Sequence, residues 1–519
     1  MLETHAHGAG SDEGKRRWTP FSVGLFSLLL ACGGVGSRDG QPVPTDSAVD
    51  TDTTSTETVD PADTTDASDD TTADPEDTIA APEDAADTGG IVTDTAAPPL
   101  DCDFFAAPNG GGEGADGSAE HPWGSLESVS AAGMLPAAGG VLCLLSGHHG
   151  APRISGVHPT SPLVIRAVDT HQATVSSLTL HDSADLTFQA LVVDGATVID
   201  PETDERGSFL VLANADVSPL ALIDVVVQSA DSSVSWTWND WWKRSRSGVD
   251  LRGPAATVLN CTIRNVHHAL SVRGDNVWVE GNTIDNFGGD GIRGLGSGST
   301  YTWNTVRDAY IDEYDVQHDD AFQAYKLEGD LRISDVTIAH NQFLLFTDPL
   351  TDFVMAERLV GTLMQGIIIT DGYADGWVVE NNLVVNSQAH GISLYGARNS
   401  RIQNNTVVAH PGFEASSGAW IRITDQTKSG HQNFDNVIRN NLTAMLTPWD
   451  YDSSSTVEAN LEVTDPDSLY VDGAAMDFHL RSGTSAVDAG IDSDLPGTDL
   501  DGAVRKTGAA VDLGAYERQ

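Results

Sequence analysis

The sequence predicts an all-β domain, a right-handed parallel β-helix in which each coil takes about 22 residues. Three observations predict this solenoid. A short segment centred on asparagine recurs along the chain, and an apolar position recurs once in each coil. In addition, 51 glycines accompany runs of Val, Ile and Thr, a composition typical of short strands joined by tight turns.

The repeat is carried by segments such as NCTIRNV at 260, GNTIDNF at 281 and NNTVVAH at 404. Uninterrupted spacings are 21, 22 and 23 residues, and spacings of 37, 41 and 36 fit one period plus an insertion. This period is too short for a helical repeat or a propeller blade, but it fits three short strands per coil. We expect the aligned side chains to form a hydrogen-bonded amide ladder, in a column made of Cys261, Asn282, Asn304, Asn341, Asn382, Asn405 and Asn441.

The N-terminal region is expected to direct export rather than to join the fold. Residues 1–32 have a basic segment, the apolar run FSVGLFSLLLA and then LLAC, which resembles a bacterial lipobox with Cys32 as the acylated residue. The alternative is a secretory signal with a chance cysteine. Residues 33–100, rich in Thr, Asp, Ala and Pro, predict a disordered acidic linker. We therefore expect an exported protein, lipid-anchored to the outer membrane or cell surface, with the membrane as a partner.

Residues 101–519 are predicted to form the β-helix, with a cap region at 101–160 and a final coil and tail at 475–519. The chain has 27 Lys and Arg against 76 Asp and Glu, a formal charge of -49. This balance excludes a nucleic-acid partner, because a phosphate backbone requires a basic surface. It also disfavours an acidic polymer, unless metal ions or local arginines intervene. We expect the protein to act as a monomer.

Four cysteines occur in the chain. With Cys32 assigned to lipid, we expect Cys102 and Cys143 to form a disulfide in an oxidising compartment, since both flank strand-like runs at the start of the domain. Cys261 is then a free, buried thiol. No CxxC or Cys/His metal spacing is present, so zinc is not indicated.

Two stretches resemble known β-helix proteins. DFFAAPNGGGEGADGSAEHPWGSLESV, followed by GVLCLLSG, resembles the N-terminal cap of the pectate-lyase-like superfamily. DFHLRSGTSAVDAG and AAVDLGAYE resemble the C-terminal coil and tail of bacterial β-helix surface proteins. The resemblance implies the fold for 101–519 but does not select an activity, because this scaffold hosts lyases, hydrolases, epimerases and adhesins.

A second column places polar side chains at one point of successive coils. The expected inward rungs are Leu270, Ile292, Phe322, Ile367, Ile392 and Ile421, and two residues earlier stand His268, Asp290, Asp320, Gln365, His390 and Ala419. Asp290 and Asp320 then lie about one strand spacing apart, so they share a proton or a cation. This pair is a candidate acid/base site or Ca²⁺ site, and no other cofactor is predicted. The alternative is ordinary Asp-Gly turn chemistry.

The spacing also predicts what surrounds this pair. Arg293 and Gln323 should point outward beside the acids, followed by Ser393 and Arg422 on later coils. Extra residues at 305–318, 343–364 and 407–418 fall just before the polar column, where they either wall a cleft or cover apolar surface. His318 and Asp319 end the first of these insertions.

The segment SWTWNDWWKRSR contributes a cluster of tryptophans beside three basic residues. Exposed rings would stack on sugars, whereas buried rings would only pack this loop onto the solenoid. The sequence leaves both interpretations open for Trp236, Trp238, Trp241 and Trp242.

The polar column resembles that of the polygalacturonase-type family 28 glycoside hydrolases. GGDGI matches that family's first Asp with Asp290, HDDAF its Asp pair, AHGIS its His with His390, and WIRIT its Arg with Arg422. Gly288 stands where the family has Asn, Thr424 replaces its Lys, and an extra coil with Gln365 intervenes.

The resemblance implies polysaccharide cleavage, by a hydrolase or a lyase. Its catalytic candidates are Asp290, Asp319 and Asp320, with His318 or His390 moving protons, and its substrate-binding candidates include Arg293, Gln323, Gln365 and Arg422. The alternative is a carbohydrate-binding or adhesive surface lipoprotein without catalysis.

Overall fold

The computed structural model describes residues 101–196, 208–310, 319–347, 364–386, 388–411, 419–446 and 452–519, without the side chains of Trp238 and Trp242. Cys32, the signal peptide, the linker and His318 lie outside the described residues, as do 311–318, 348–363 and 412–418 of the three insertions. Most of the predicted cleft walls therefore lie outside the described residues. Within the described residues, no helix is long and apolar enough to cross a membrane.

The predicted coils are present, and each contributes one strand to each of three parallel sheets. Among the described residues, sheet 1 has 13 strands. Its strands are Phe104–Ala106, Gly140–Leu144, Leu163–Ala167, Leu186–Gln189, Leu220–Ile223, Ala256–Leu259, Trp278–Glu280, Thr300–Thr302, Thr337–Ala339, Val378–Glu380, Arg401–Gln403, Val437–Arg439 and Thr456–Glu458.

Sheet 2 follows sheet 1 within each coil and has 12 strands in the part of the chain that the structure describes. They are Gly147–His148, Ala173–Val175, Val192–Asp194, Val226–Gln228, Thr262–Val266, Thr283–Phe287, Thr305–Ala309, Gln342–Leu344, Leu383–Asn386, Thr406–Ala409, Leu442–Thr443 and Leu461–Glu462.

Sheet 3 completes each coil and, over the described ranges, has 11 strands. They are Arg153–Ser155, Leu178–His181, Phe209–Ala213, Ser247–Leu251, Leu270–Val272, Ile292–Gly294, Asp320–Tyr325, Gln365–Asp371, His390–Tyr395, Trp420–Thr424 and Met445–Leu446.

The remaining elements are short. Arg332–Ser334 pairs in parallel with Tyr373–Asp375, and Tyr470–Asp472 pairs antiparallel with Asp477–Leu480. Within the described residues, the helices are Leu126–Ala131, Trp238–Arg244 and Pro466–Leu469, and Gly473–Ala475 is a 3₁₀ turn.

The main core fills the space between the three sheets and consists of Val, Leu, Ile, Phe and Ala side chains from every coil. Strands such as Leu163–Ala167 alternate buried and half-buried residues, since successive side chains point to opposite faces. Leu126 and Val129, on the helix Leu126–Ala131, are buried in the same core. The predicted disulfide is present between Cys102 and Cys143, with their Cα atoms 5.7 Å apart. Cys261 is free and buried, as expected, and burial raises the pKa of its thiol to about 12.

The predicted asparagine ladder runs along the turn between sheets 1 and 2. Asn282 Nδ2 donates to Asn304 Oδ1 at 2.9 Å, and the same bond recurs rung by rung as far as Asn441. Asn441 Nδ2 donates in turn to Asn460 Oδ1 at 2.8 Å, which adds a rung beyond the end of the predicted column. Cys261 ends the ladder on the other side, because its backbone N–H donates to Asn282 Oδ1.

A second core covers the outward face of sheet 2 in the last coils. Leu383 and Val385 alternate with the inward Val384, and they pack with Leu500 and Leu513 of the C-terminal tail. Strands that are apolar on both faces must be buried on both, which explains why the tail lies there. The tail also bonds the turns beside the ladder, since Asn381 Nδ2 donates to the Thr498 carbonyl at 2.9 Å. From Ile491 beside Asn440 to Thr498 beside Asn381, the tail runs back along the solenoid, and by Gly514 it has returned to Asn440, a path that the sequence did not predict.

Candidate functional site: a buried carboxylate pair on sheet 3

The inward column of sheet 3 has the register that the sequence predicted. Strand pairing joins, coil by coil, Leu270, Ile292, Phe322, Ile367, Ile392 and Ile421, and all six side chains are buried. Asp320 pairs with Gln365 as expected. The last polar position was wrong: His390 lies opposite Trp420 rather than Ala419, because the register shifts between His390 and Ile392.

Asp290 and Asp320 are in direct contact through the backbone of one and the carboxylate of the other. The backbone N–H of Asp320 donates to Oδ1 of Asp290 at 3.1 Å, and the N–H of Gly291 donates to the Asp320 carbonyl at 2.9 Å. Both residues are almost fully buried, at 2% and 1% exposure. Gly291 is required between the two columns, since a Cβ there would meet Val306 at 2.5 Å.

The Asp290 carboxylate is paired with a cation. Its Oδ2 accepts a hydrogen bond from Nε of Arg293 at 2.6 Å, a charge-assisted bond that favours the ionised carboxylate. His268 lies on the other side, and its Nδ1 accepts the backbone N–H of Asp290 at 2.9 Å. Arg293 Nη2 lies 3.0 Å from His268 Nε2, so one arginine contacts both side chains. Gly289 leaves room for this imidazole, because a Cβ there would lie 2.5 Å from its Nδ1.

The Asp320 carboxyl has the opposite environment. Burial raises its pKa well above the ordinary value, and the neighbouring charge of Asp290 raises that pKa further. Gln323 Nε2 donates to Asp320 Oδ2 at 2.6 Å, which only partly offsets these effects. Its Oδ1 is buried without a hydrogen-bond partner among the described residues. Of the two carboxyl groups, Asp320 is therefore the one whose environment favours the protonated form.

Such a pair can exchange protons with a ligand, because the environment of Asp320 favours its protonated form while Asp290 is an ion-paired carboxylate. It is a poor cation site. Within the described residues, no group of three or more His, Cys, Asp or Glu side chains is arranged to hold a metal ion. Of the carboxylate oxygens, Asp290 Oδ2 is bonded to Arg293 and Asp320 Oδ2 to Gln323, so Ca²⁺ has few free ligands here.

The other predicted site residues divide into two groups. Asp319 is buried beside Asp320, and its carbonyl accepts the N–H of Gln365 at 3.0 Å. The side-chain Oε1 of Gln365 is buried without a hydrogen bond in the described structure. This first group surrounds the carboxylate pair.

The second group lies further along the solenoid. His390 Nδ1 is 2.9 Å from Ser393 Oγ, and Trp420 Nε1 donates to the same oxygen at 3.0 Å. The Arg422 guanidinium lies over the ring of Trp420, 5.5 Å from its centroid. His390 is two strands from Asp320, which is about 10 Å at the usual strand spacing, so the structure does not bring it to the pair.

The tryptophan segment packs on itself. Trp236 and Trp241 are each 5% exposed and meet edge to face, and Trp241 stacks on Tyr310 with ring centroids 4.8 Å apart. These two rings have no free face, so the interpretation of Trp236 and Trp241 as sugar-stacking residues was wrong. Thr237 caps the helix Trp238–Arg244 through a reciprocal bond with Asp240, which explains the local fold.

Sequence reasoning missed one polar cluster on the same face. Asp250 lies on the strand Ser247–Leu251, opposite Ser271, which lies opposite Arg293, and Arg252 and Arg273 each follow two residues after Asp250 and Ser271. Extending the outward column two coils from Arg293 toward the N-terminus would have found Asp250, with the two arginines beside it.

The chain matches one family model, described as the right handed beta helix region, over residues 247–461. Together with the three stacked parallel sheets, this match identifies the fold of the domain as a right-handed parallel β-helix. No curated protein matches the sequence.

Several solved structures resemble the chain remotely. A pectate lyase, Pel9A, is 14% identical over 81% of this chain and 98% of its own, with a TM-score of 0.40. The A-module of the Azotobacter vinelandii mannuronan C-5 epimerase AlgE4 is 11% identical over 65% and 88%, with a TM-score of 0.37. A PL6 family polysaccharide lyase from Pseudopedobacter saltans is 12% identical over 63% and 89%, with a TM-score of 0.36. Similarities this remote do not assign an activity.

Proposed function

We propose that this protein cleaves a polysaccharide, with Asp320 as the proton donor and Asp290 as the proton acceptor. The observation that carries the proposal is the asymmetry of the pair. Arg293 holds Asp290 as a carboxylate, while burial raises the pKa of Asp320. Two adjacent carboxyl groups held in different protonation states are the arrangement that glycosidic-bond cleavage uses.

In a hydrolytic reaction, Asp320 would give its proton to the glycosidic oxygen as the bond to the anomeric carbon breaks. Asp290 would take a proton from the water that attacks that carbon, and proton exchange with solvent would restore both groups. In an elimination, Asp290 would take the proton from the carbon next to a uronate carboxylate, and Asp320 would again protonate the leaving oxygen. Both routes use the same two residues.

A substrate would reach the carboxylate pair by way of two long side chains. Arg293 and Gln323, on the outward side of sheet 3, each hold one carboxylate oxygen. A substrate must displace or share these hydrogen bonds, since the carboxyls themselves are buried. Arg293 and Gln323 would therefore bind substrate as well as position the acids.

The test is turnover by the purified chain on neutral and uronic-acid polysaccharides, read as reducing ends and as absorbance of unsaturated uronates. Reducing ends without absorbance mean hydrolysis, and both signals mean elimination. Asp290→Asn and Asp320→Asn should each abolish the activity. Asp335→Asn is the matched control, because Asp335 lies on an exposed turn in a left-handed conformation that asparagine also adopts. Full activity in either of the first two variants would refute the assignment.

A second function, carbohydrate binding without catalysis, is favoured by one observation. Exposures of 2% and 1% for Asp290 and Asp320 are low for groups that must touch a substrate. Saturable glycan binding with no product in either assay, on any substrate of the panel, would establish this second function.

We also propose that the protein is exported and lipid-anchored through Cys32. The LLAC motif supports this location. The Cys102–Cys143 disulfide supports it too, because such bonds persist in oxidising compartments.

A further inference from the structure

One carboxylate on sheet 3 is held between two arginines. Asp250 Oδ2 accepts from Arg252 Nε at 2.7 Å, and Oδ1 accepts from Arg273 Nε at 2.9 Å. The Asp250 side chain is fully buried, whereas the two arginine side chains are 41% and 39% exposed. The acid therefore lies beneath two cations that face solvent.

The hydrogen bonds leave the ends of both guanidinium groups available. Asp250 uses only the Nε atoms, and Arg252 Nη1 makes one long bond, 3.3 Å, to Asn214 Oδ1. Within the described residues, neither Nη atom of Arg273 has a hydrogen-bond partner, nor does Nη2 of Arg252. A guanidinium held at Nε is fixed in orientation, and its remaining N–H groups suit an oxyanion.

This cluster lies on the face that carries the carboxylate pair. Asp250, Ser271 and Arg293 occupy paired positions on three successive strands, so Asp250 lies about 10 Å from Arg293 along the sheet. Between them, Ser271 Oγ is buried without a hydrogen-bond partner in the described structure. A sugar unit bound next to the site of cleavage would lie within this distance.

The cluster is positively charged, whereas the domain as a whole is negatively charged. Two arginines against one aspartate leave one net positive charge, whereas residues 101–519 carry 23 Lys and Arg against 56 Asp and Glu, a net of -33. An acidic polymer would be repelled by most of this domain, so a local cationic cluster would decide where it binds.

We propose that Arg252 and Arg273 form a subsite for the carboxylate of a uronic-acid unit, so that the substrate is an anionic polysaccharide. This inference rests on the proposed function, since it names the substrate of the same face. Asp250 is the positioning residue, because it orients both guanidinium groups without reaching the ligand.

The experiment measures binding by isothermal titration calorimetry in the Asp320→Asn background, where no substrate is consumed. The probes are oligogalacturonate, oligomannuronate, a neutral cello-oligosaccharide and a sulfated dextran. Arg252→Gln/Arg273→Gln removes the charge and keeps much of each side chain. Arg332→Gln is the control, because Arg332 is a similarly exposed arginine on a different strand, paired with Asp330.

We expect at least one oligouronate to bind, and the double variant to weaken that binding about tenfold or more, the usual effect of losing hydrogen bonds to a charged group. Arg332→Gln should not change it. Unchanged oligouronate binding by the double variant, or no oligouronate binding by either protein, would overturn the subsite. Tighter binding of sulfated dextran than of either oligouronate would overturn the carboxylate assignment.

Different assays test the subsite and the proposed function, so one can be refuted without the other. If the arginine variant loses oligouronate binding while Asp290→Asn retains turnover, the subsite stands and the catalytic assignment falls. If Asp290→Asn abolishes turnover while the arginine variant binds normally, the reverse holds. Circular dichroism of each variant shows whether it is folded.

Discussion

The backbone N–H of Asp320 donates a hydrogen bond to Oδ1 of Asp290, 30 residues earlier in the chain, at 3.1 Å. The contact exists because adjacent strands of sheet 3 carry the two residues at the same position of successive coils. It joins an ion-paired carboxylate to a buried carboxyl whose pKa is raised. This relationship makes several outcomes measurable.

Asp320→Asn should change how stability depends on pH. Because the folded-state pKa of Asp320 is above its unfolded value, the folded protein holds this proton more tightly. As pH rises above the ordinary aspartate range, the wild type loses about 1.4 kcal/mol for each unit of that shift. The asparagine variant should not show this loss. Urea unfolding of the wild type and the variant at pH 4 and pH 8 measures this loss. If the two proteins differ in unfolding free energy by the same amount at both pH values, the raised pKa is contradicted.

Arg293→Gln should destabilise the protein by about 3–5 kcal/mol, since it leaves Asp290 as a buried carboxylate without its cation. Asp290→Asn/Arg293→Gln should recover part of that loss, because no buried charge then remains unpaired. Equilibrium unfolding of the two single variants and the double variant gives the coupling energy. Effects that add within about 0.5 kcal/mol would show that the two residues are independent.

Asn382→Ala should destabilise the solenoid by about 3 kcal/mol, because the ladder loses both the amide donors and the carbonyl acceptor at an interior rung. Asn460→Ala, at the half-buried end of the ladder, should have a smaller effect. The comparison is made by thermal and denaturant unfolding. Equal losses of stability in the two variants would mean that an interior rung of the ladder stabilises the protein no more than the rung at its end.

The backbone amides of the C-terminal tail should be protected from hydrogen exchange more strongly at low pH than at high pH. His479 lies between Asp477 Oδ1 at 2.6 Å and Asp501 Oδ2 at 2.7 Å. Partial burial alone would lower its pKa, but the hydrogen bonds to the two carboxylates raise it above the ordinary histidine value. Its stabilising effect is therefore complete below that ordinary value and is lost as pH rises through the raised one.

Hydrogen exchange of residues 491–515 should accordingly be slower at pH 5.5 than at pH 8.5, after correction for the intrinsic exchange rates. His479→Gln should remove this difference. The His479 ring also contacts the ring of Tyr516, with the two centroids 4.1 Å apart. In the wild type, this aromatic contact should remain at high pH after the charge of His479 is lost. A pH dependence that persists in the glutamine variant would assign the effect to another group.

Expression of the full chain in a Gram-negative bacterium should give a protein that begins at an acylated Cys32. Mass spectrometry of the N-terminal peptide detects the acyl groups, and the protein should fractionate with membranes. Cys32→Ser should abolish both properties. Recovery of an unmodified chain cleaved elsewhere would instead indicate a plain secretory signal.

Periodicity was enough to predict the coils, the ladder from Asn282 to Asn441 and the inward rungs of sheet 3, because strand pairing in a solenoid repeats one register. The same periodicity placed Asp290, Asp320, Arg293 and Gln323 together. It failed at His390, where the register shifts by one residue. It could not choose between the two interpretations of Trp236 and Trp241, because the burial of a loop is not periodic.

The sequence by itself determined the fold class, the disulfide partners and which two carboxylates meet, since each follows from short-range pattern and a repeated register. Tertiary structure alone decided the rest. It raised the pKa of Asp320 through burial and laid the tail over sheet 2. It also clamped Asp250 between Arg252 and Arg273. These features depend on which side chains lose contact with water, and that depends on packing between distant parts of the chain rather than on spacing within it.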